Sequence, residues 1–124
     1  MIMFKENSKA IYLQIADRIG DSILSGEYSA GERLPSVREY AGLVQVNPNT
    51  VMRSYELLAD DGVIFNKRGV GYFVSDDAVA KVKVQRSAYV LDGELQGIFS
   101  QLKLLGITPA ELNERYSKWL TNNE

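Results

Sequence analysis

The fold is decided by residues 36–62, which read SVREYAGLVQVNPNTVMRSYELLADDG. The segment opens with Ser36, and Glu39 follows three residues later. This spacing is typical of a capping box, in which the two residues satisfy each other's main-chain groups at the start of a helix. Pro35 lies just before the box and cannot extend a preceding helix. The pattern predicts a short helix over about 37–43.

A second helix is predicted directly after the first. Asn47-Pro48 is its start signal, because Asn is a favoured N-cap and Pro suits the first helical position. Asp61-Gly62 ends this helix, which therefore covers about 48–60. Two short helices joined by a few residues are the outline of a helix-turn-helix.

The residues after the helix-turn-helix favour a hairpin. The β-prone runs 63–67 and 71–74 flank Arg68-Gly69-Val70, which predicts two strands and a turn. A hairpin that directly follows a helix-turn-helix is the layout of a winged helix. Before the helix-turn-helix, residues 28–34 are rich in turn signals and have room for one short strand.

A further helix is predicted at 9–24, with Ser8 as its candidate N-cap. Apolar residues recur there at helical spacing and give the helix one apolar face. The residues of this face are Tyr12, Ile15, Ala16, Ile19 and Ile23.

The last part of the chain is also predicted to be helical. Residues 76–106 carry apolar side chains at spacings of three and four, although the β-branched residues in 79–90 weaken the pattern. Gly106 is the candidate C-cap. Thr108-Pro109-Ala110-Glu111 has the pattern of another capping box and predicts a last helix that runs to about Leu120.

The fold class expected from these patterns is mainly α with a small β wing. A winged helix-turn-helix over 1–75 is followed by a short two-helix tail over 76–124. Two helices alone cannot bury the apolar faces of this tail, so its surplus surface needs a partner, and a second copy of the chain is the simplest one. The candidate residues of this dimer interface are Leu91, Leu95, Ile98, Phe99, Leu102, Leu105, Leu112, Tyr116 and Trp119.

Composition excludes much of common enzymology. The 124 residues contain no histidine and no cysteine, which rules out Ser-His-Asp and Cys-His catalysis, disulfides and His- or Cys-based metal sites. We therefore expect no cofactor and no enzymatic activity. No apolar run is long enough for a membrane span, and the first ten residues lack a signal-peptide core, so a cytoplasmic protein is expected. The net charge of −2 means that any nucleic-acid hypothesis rests on local placement of charge.

The predicted helix at 48–60 has two different faces. One face is suited to the core and holds Val51, Ser54, Tyr55 and Leu58. The opposite face holds Asn49, Met52, Arg53 and Glu56. Asn49 and Arg53 lie near the N-terminal end, where recognition helices meet base edges, and these residue types pair with adenine and guanine. The alternative is an ordinary solvated face with one Arg–Glu pair.

Cations at three other positions suit contacts with a phosphate backbone. Lys67, Arg68 and Gly69 lie at the predicted wing tip, where glycine allows close approach to a groove. Arg38 lies in the first turn of its helix and could reach a phosphate. The alternatives are a solvated hairpin turn and a pairing of Arg38 with Glu39 or another neighbour.

The order of these motifs resembles the GntR family of bacterial transcription regulators. The resemblance covers about 8–75 and runs through AIYLQIA at 10–16, GERLPSVRE at 31–39, VNPNTV at 46–51, YELL at 55–58, DGVI at 61–64 and RGVGYFV at 68–74. The NPNTV form and the short tail are similar to the YtrA-type subgroup. That resemblance implies a helical tail that serves dimerisation, with no large effector domain.

The resemblance also implies roles for single residues. Arg38 matches the family arginine that contacts the DNA backbone, and Gly69 matches the wing-tip glycine. Asn47, Asn49 and Thr50 match the start of the recognition helix. Where many members have Ser/Thr-Arg, this chain has Asn47-Pro48, so an arginine that often reads a base is missing. Arg53, one turn further on, could take part of that role.

The function expected from the sequence is sequence-specific DNA binding by a homodimer on a two-fold-related operator, with repression as the outcome. The alternative is a winged helix that serves protein–protein contact without DNA, which would require an apolar exposed face on the third helix. An enzyme would need a convergent polar cluster, and the sequence shows none. No effector, operator or regulated gene is identified by the residues.

Overall fold

The computed structural model describes residues 9–124, which fold into six α-helices and one two-stranded hairpin. The helices are α1 (Ile11–Leu24), α2 (Val37–Val44), α3 (Pro48–Asp60), α4 (Ala78–Tyr89), α5 (Leu95–Leu105) and α6 (Pro109–Asn122). The strands are β1 (Ile64–Lys67) and β2 (Gly71–Val74), and a π-helical turn at Val90–Glu94 separates α4 from α5. The predicted class, mainly α with a small β wing, is confirmed.

Helix α1 begins slightly later than the sequence pattern predicts. Its N-cap is Ala10, which makes no side-chain capping bond. The predicted cap, Ser8, lies outside the described residues. Ile15, Ile19 and Ile23 are buried, as the apolar spacing predicts, while Tyr12 is only half-buried.

The start signals of the helix-turn-helix act as the sequence predicts. The Glu39 amide donates to Ser36 Oγ at 3.1 Å, and the Ser36 amide donates to Glu39 Oε1 at 2.9 Å, which completes the capping box of α2. The bond from the Ser36 main chain, followed by that with the Ser36 side chain, lowers the pKa of the Glu39 carboxyl. At α3 the Asn49 amide donates to Asn47 Oδ1 at 2.8 Å. Both helices therefore start where their caps place them.

The turn between α2 and α3 depends on a left-handed residue. Gln45 has φ 56°, and within residues 9–124 it is the only residue other than glycine with a positive φ. The next amide, of Val46, donates to the Ala41 carbonyl at 3.1 Å, which closes the end of α2. A side chain in this conformation costs roughly 1–2 kcal/mol.

The wing is an antiparallel pair that runs from Ile64 opposite Val74 to Lys67 opposite Gly71. Gly69 has φ +79° in the turn, a conformation that favours glycine. Residues 28–34, which have room for one short strand, contribute a single bridge in which Arg33 pairs with Phe73.

The core of the winged helix draws on every one of its elements. Ile15 and Ile19 from α1, Tyr55 from α3 and Ile64 from β1 are buried together. The Tyr55 hydroxyl donates to the Pro35 carbonyl at 2.7 Å, which ties α3 to the residue before α2. Burial raises the pKa of this hydroxyl.

This core continues into α4. Ala78 and Val82 are buried in the same cluster, and Lys81 Nζ donates to the Gly62 carbonyl at 3.4 Å. The chain divides into two compact units, of which the first ends at Gln85 and the second runs from Arg86 to Glu124. The first unit therefore extends past Ser75, where the sequence places the end of the DNA-binding part, while the functional division at that point stays a prediction.

The second unit buries no side chain of α5 or α6, both of which are described in full. Its turns follow the predicted signals: Gly106 is left-handed at φ 71°, and the Glu111 amide donates to Thr108 Oγ1 at 3.2 Å. The candidate interface residues remain uncovered, since Leu95 and Leu102 are half-buried and the others are exposed. The exposed ones are Leu91, Ile98, Phe99, Leu105, Leu112, Tyr116 and Trp119.

Candidate nucleic-acid interface

Helix α3 has the two different faces that its sequence predicts. Its buried residues are Val51, Ser54, Tyr55 and Leu58. Its exposed face holds Asn49, Met52, Arg53 and Glu56. Three of these four exposed residues are polar, and Met52 is the one large apolar side chain among them, so this face of α3 is mainly polar. It offers an amide and a guanidinium for hydrogen bonding.

The start of α3 combines capping with exposure. Asn47 and Asn49 are exposed, and Thr50 is half-buried. The Asn47 side-chain oxygen accepts a hydrogen bond from the Asn49 amide and so caps the helix. The side-chain nitrogen of Asn47 takes no part in this bond and can make other contacts. The Asn49 side chain takes no part in that bond. The first turn of α3 therefore presents two carboxamides at the end of the helix that carries the positive dipole.

Arg53 is not a loose surface side chain. Its guanidinium carbon lies 4.0 Å from the centre of the Tyr12 ring, in the geometry of a cation–π pair. Next to it, Ser54 Oγ donates to the Tyr12 carbonyl at 2.7 Å. The sequence identifies Arg53 as a candidate reader, but it gives no sign of Tyr12, because the contact joins two different helices.

The wing tip is exposed and cationic. Lys67, Arg68 and Gly69 are all exposed, and Lys67 Nζ lies 5.1 Å from the centre of the Phe73 ring. Phe73 in turn stacks on Phe65 across the hairpin, with ring centres 5.8 Å apart. The aromatic pair thus supports the lysine at the base of the tip.

Arg33 lies before α2 and contacts the wing, although no sequence pattern singles it out. Its Nε donates to the Val70 carbonyl at 3.1 Å, in the wing turn. Gly71 has φ +140°, a conformation that favours glycine, and a Cβ there would lie 2.9 Å from the same Nε, so the Arg33 side chain would have to shift. Because Arg33 and Val70 are distant in sequence, no local pattern could have revealed the contact.

The candidate backbone cations are not neutralised by neighbouring carboxylates. Arg38 is exposed in the first turn of α2, and the Glu39 carboxylate beside it is engaged with Ser36. Across residues 9–124, neither Arg38 nor Lys67 nor Arg68 takes part in an ion pair. All three are therefore available to an anionic partner.

The structure brings the predicted DNA-binding residues together in the first compact unit. They are Arg38, Asn47, Asn49, Thr50, Arg53, Lys67, Arg68 and Gly69. Two other kinds of site are not found in residues 9–124: no group of acidic side chains is arranged to hold a metal ion, and no helix is long and apolar enough to cross a membrane.

A helix-turn-helix with a polar exposed third helix and a cationic wing defines a DNA-binding winged-helix protein. A sequence profile described as "Bacterial regulatory proteins, gntR family" matches residues 11–74, more than half of the chain. The chain therefore belongs to the GntR family of bacterial transcription regulators.

Individual relatives agree with this assignment. The chain is 40% identical over 111 residues to the HTH-type transcriptional regulator YhcF of Bacillus subtilis, with 88% of each protein covered. It is 33% identical over 100 residues to the HTH-type transcriptional repressor YtrA of the same organism, with 74% of this chain and 77% of YtrA covered. The predicted resemblance to YtrA-type members is thereby confirmed.

Among solved structures, a protein described as a GntR-family transcriptional regulator from Bacteroides thetaiotaomicron is similar over 93% of this chain and all of its own. The two share 47% sequence identity with a TM-score of 0.80. The structural similarity therefore includes the tail helices as well as the winged helix.

Proposed function

We propose that the protein is a homodimeric repressor that binds a two-fold-related operator. The observation that carries this proposal is the exposed face of α3, where Asn49 and Arg53 follow a capped N-terminus. In the proposed complex α3 enters the major groove, and these two side chains meet base edges. Arg38, Lys67 and Arg68 contact the phosphate backbone on either side.

The tail, residues 76–124, is proposed as the dimerisation element. Helices α5 and α6 leave apolar side chains such as Phe99, Tyr116 and Trp119 exposed to solvent in the single chain. Exposed apolar surface of this kind marks an interaction site, and a two-fold dimer covers the same patch on both copies. The dimer would then set the distance between the two operator half-sites.

Repression is proposed because the similar proteins YtrA and NagR of Bacillus subtilis are both named as transcriptional repressors. A repressor needs only to occupy DNA that the transcription machinery must use. The winged helix and a dimer suffice for that, so the proposal includes neither a cofactor nor catalysis. Because its target is chromosomal DNA, the protein is expected to act in the bacterial cytoplasm.

Selection from a pool of randomised duplex DNA tests the proposal. The full chain is expected to enrich a sequence with two related half-sites. Arg53→Ala should weaken binding by about 5-fold to 100-fold and relax the choice of base at one step in each half-site. Arg115→Ala is the matched control, because Arg115 is an exposed arginine of α6, an element that has no contact with DNA in the proposed complex. Failure to enrich any sequence would contradict the proposal.

The backbone contacts have a different signature. Replacing Arg38 or Arg68 with Ala should weaken binding to all sequences alike. It should also lower the slope of log affinity against log salt by roughly one unit for each contact. A change in base preference with an unchanged salt slope would contradict the assignment of these residues to the backbone.

A tail variant tests the dimer. Ile98→Asp places a charge within the proposed interface and should convert the dimer to a monomer, as measured by light scattering. The monomer is expected to bind the full operator roughly 100-fold more weakly, because the effective concentration of the second half-site contact is lost. Leu104→Asp is the control, since Leu104 is exposed on the same helix but outside the proposed interface.

A further inference from the structure

Tyr12 and Arg53 are held together by a side-chain contact and by a hydrogen bond to the backbone. The guanidinium carbon of Arg53 lies 4.0 Å from the centre of the Tyr12 ring, so the cation lies over the aromatic face. The backbone beneath them is also connected, because the buried Ser54 hydroxyl donates to the Tyr12 carbonyl at 2.7 Å. The same hydroxyl donates to the Thr50 carbonyl at 3.2 Å.

This double attachment fixes the place of the ring relative to α3. Tyr12 lies in the first turn of α1, and Ser54 is the neighbour of Arg53 on α3. Because the Tyr12 carbonyl is bonded to α3, the ring is held beside Arg53 by the backbone as well as by its own stacking. Movement of the first turn of α1 would therefore move the surface on which the guanidinium rests.

Stacking restricts an arginine without using up its hydrogen-bonding groups. The N–H groups of a guanidinium point outward in the plane of the group, so a ring on one flat face leaves the edge accessible. An exposed arginine otherwise samples many rotamers and loses that freedom when it binds. Holding Arg53 on Tyr12 in the unbound protein means that part of this entropy is lost before DNA arrives.

We propose that Tyr12 is a positioning residue for Arg53, which orients the guanidinium edge for bidentate recognition of a guanine. The inference rests on the proposed function, since it requires α3 to meet base edges. It adds a specificity-determining residue on α1, an element to which the proposed complex otherwise gives no contact with DNA. Tyr12 acts through Arg53 alone and need not touch the DNA itself.

A double-mutant cycle on the full-length protein tests this role. Affinity for the selected operator is measured for the parent, Tyr12→Leu, Arg53→Ala and the double variant. Tyr12→Leu is expected to weaken binding about 2-fold to 5-fold, the size of an exposed cation–π pair, and to relax the base preference at the step assigned to Arg53. In the Arg53→Ala background the same change should have no effect. Tyr12→Phe should restore both affinity and preference, because it keeps the ring.

A second series avoids any loss of packing volume. Replacing Tyr12 with phenylalanine carrying increasing numbers of fluorine atoms weakens the attraction of the ring for a cation while nearly preserving its shape. Operator affinity should fall stepwise along this series when Arg53 is present and stay level when it is Ala. Leu13→Ala is the matched control, because it removes apolar bulk from the same turn of α1 and should leave base preference unchanged.

The outcomes separate this inference from the proposed function. Equal losses from Tyr12→Leu with and without Arg53 would show a purely structural role and overturn the inference. So would a fluorinated series with constant affinity. In either case the parent would still select an operator through Asn49 and Arg53, with the wing on the phosphate backbone. If the parent selects no DNA sequence at all, the proposed function itself fails.

Discussion

The two compact units of the chain differ in how far they bury their apolar side chains. In the first unit Ile19 and Tyr55 are fully buried, and the exposed faces carry amides and cations. In the second unit helices α5 and α6 bury no side chain, and the interface candidate Leu105 remains 71% exposed. The first unit has a closed apolar core, although Leu43 and Val84 stay exposed on its surface, and its candidate DNA-binding face is polar. The second unit has helices that bury no side chain, and the proposed dimer would cover their apolar surface.

The largest expected effect is on the free energy of unfolding, when one large apolar side chain in each unit is truncated to alanine. Ile19→Ala should lower the free energy of unfolding by about 2–5 kcal/mol, because it opens a cavity in a closed core. Leu104→Ala should change it by no more than about 0.5 kcal/mol, as is usual for an exposed site. Urea denaturation at one protein concentration measures both. Equal losses would mean that Leu104 is covered in the assembled protein and would break the comparison.

The extent of the first unit can be tested by truncation. A chain that ends at Gln85 should fold, whereas one that ends at Ser75 loses Ala78 and Val82 from the core. The shorter chain is expected to be less stable by about 2–3 kcal/mol, the value of burying one medium apolar side chain and a methyl group. Thermal unfolding followed by circular dichroism compares the two. Equal stability would place the boundary of the unit at Ser75.

A smaller effect is expected at the buried hydroxyl that joins α1 to α3. Ser54→Ala removes the bond to the Tyr12 carbonyl and should lower the free energy of unfolding by about 1 kcal/mol. Ser100, whose hydroxyl donates to the Gln96 carbonyl on exposed α5, is the control, and Ser100→Ala should be close to neutral. A neutral Ser54→Ala would show that the interhelical bond contributes nothing beyond packing.

The smallest effect is a dependence on pH at the cap of α2. The pKa of Glu39 lies below its ordinary value of 4.5, mainly because the Ser36 amide bonds to the charged carboxylate. This stabilisation is therefore fully present above about pH 4.5 and is lost as the pH falls through the lowered pKa. In Glu39→Gln, the free energy of unfolding measured against pH should no longer show this loss below about pH 4.5. Glu111→Gln is the control, because that carboxylate faces Arg115 at 4.0 Å rather than its N-cap.

Local signals in the sequence were sufficient for most of the first unit. The Ser36 and Asn47 caps predicted where α2 and α3 start, and the run around Gly69 predicted the wing. These features depend on residues close to each other in sequence. The exposed face of α3 followed from helical periodicity alone, so Asn49 and Arg53 could be identified as candidates before the structure was known.

What the sequence could not predict depends on contacts between distant residues. Arg33 bonds to the wing turn at Val70, and Arg53 rests on Tyr12 of another helix. Neither pair has a spacing that a pattern could reveal. The π-helical turn at Val90–Glu94 also lacks a local signal, since helical spacing continues through it. The roles of the tail residues and of the candidate DNA contacts stay predictions.

The left-handed conformation of Gln45, in the turn of the helix-turn-helix, is a point at which the protein can be made more stable. Asparagine and glycine tolerate that conformation better than other residues, so Gln45→Asn should raise the melting temperature without adding a single contact. The position is exposed and is not among the residues assigned to DNA. A more thermostable version of the protein, suited to crystallisation with an operator, could therefore be obtained by relieving the backbone at one residue.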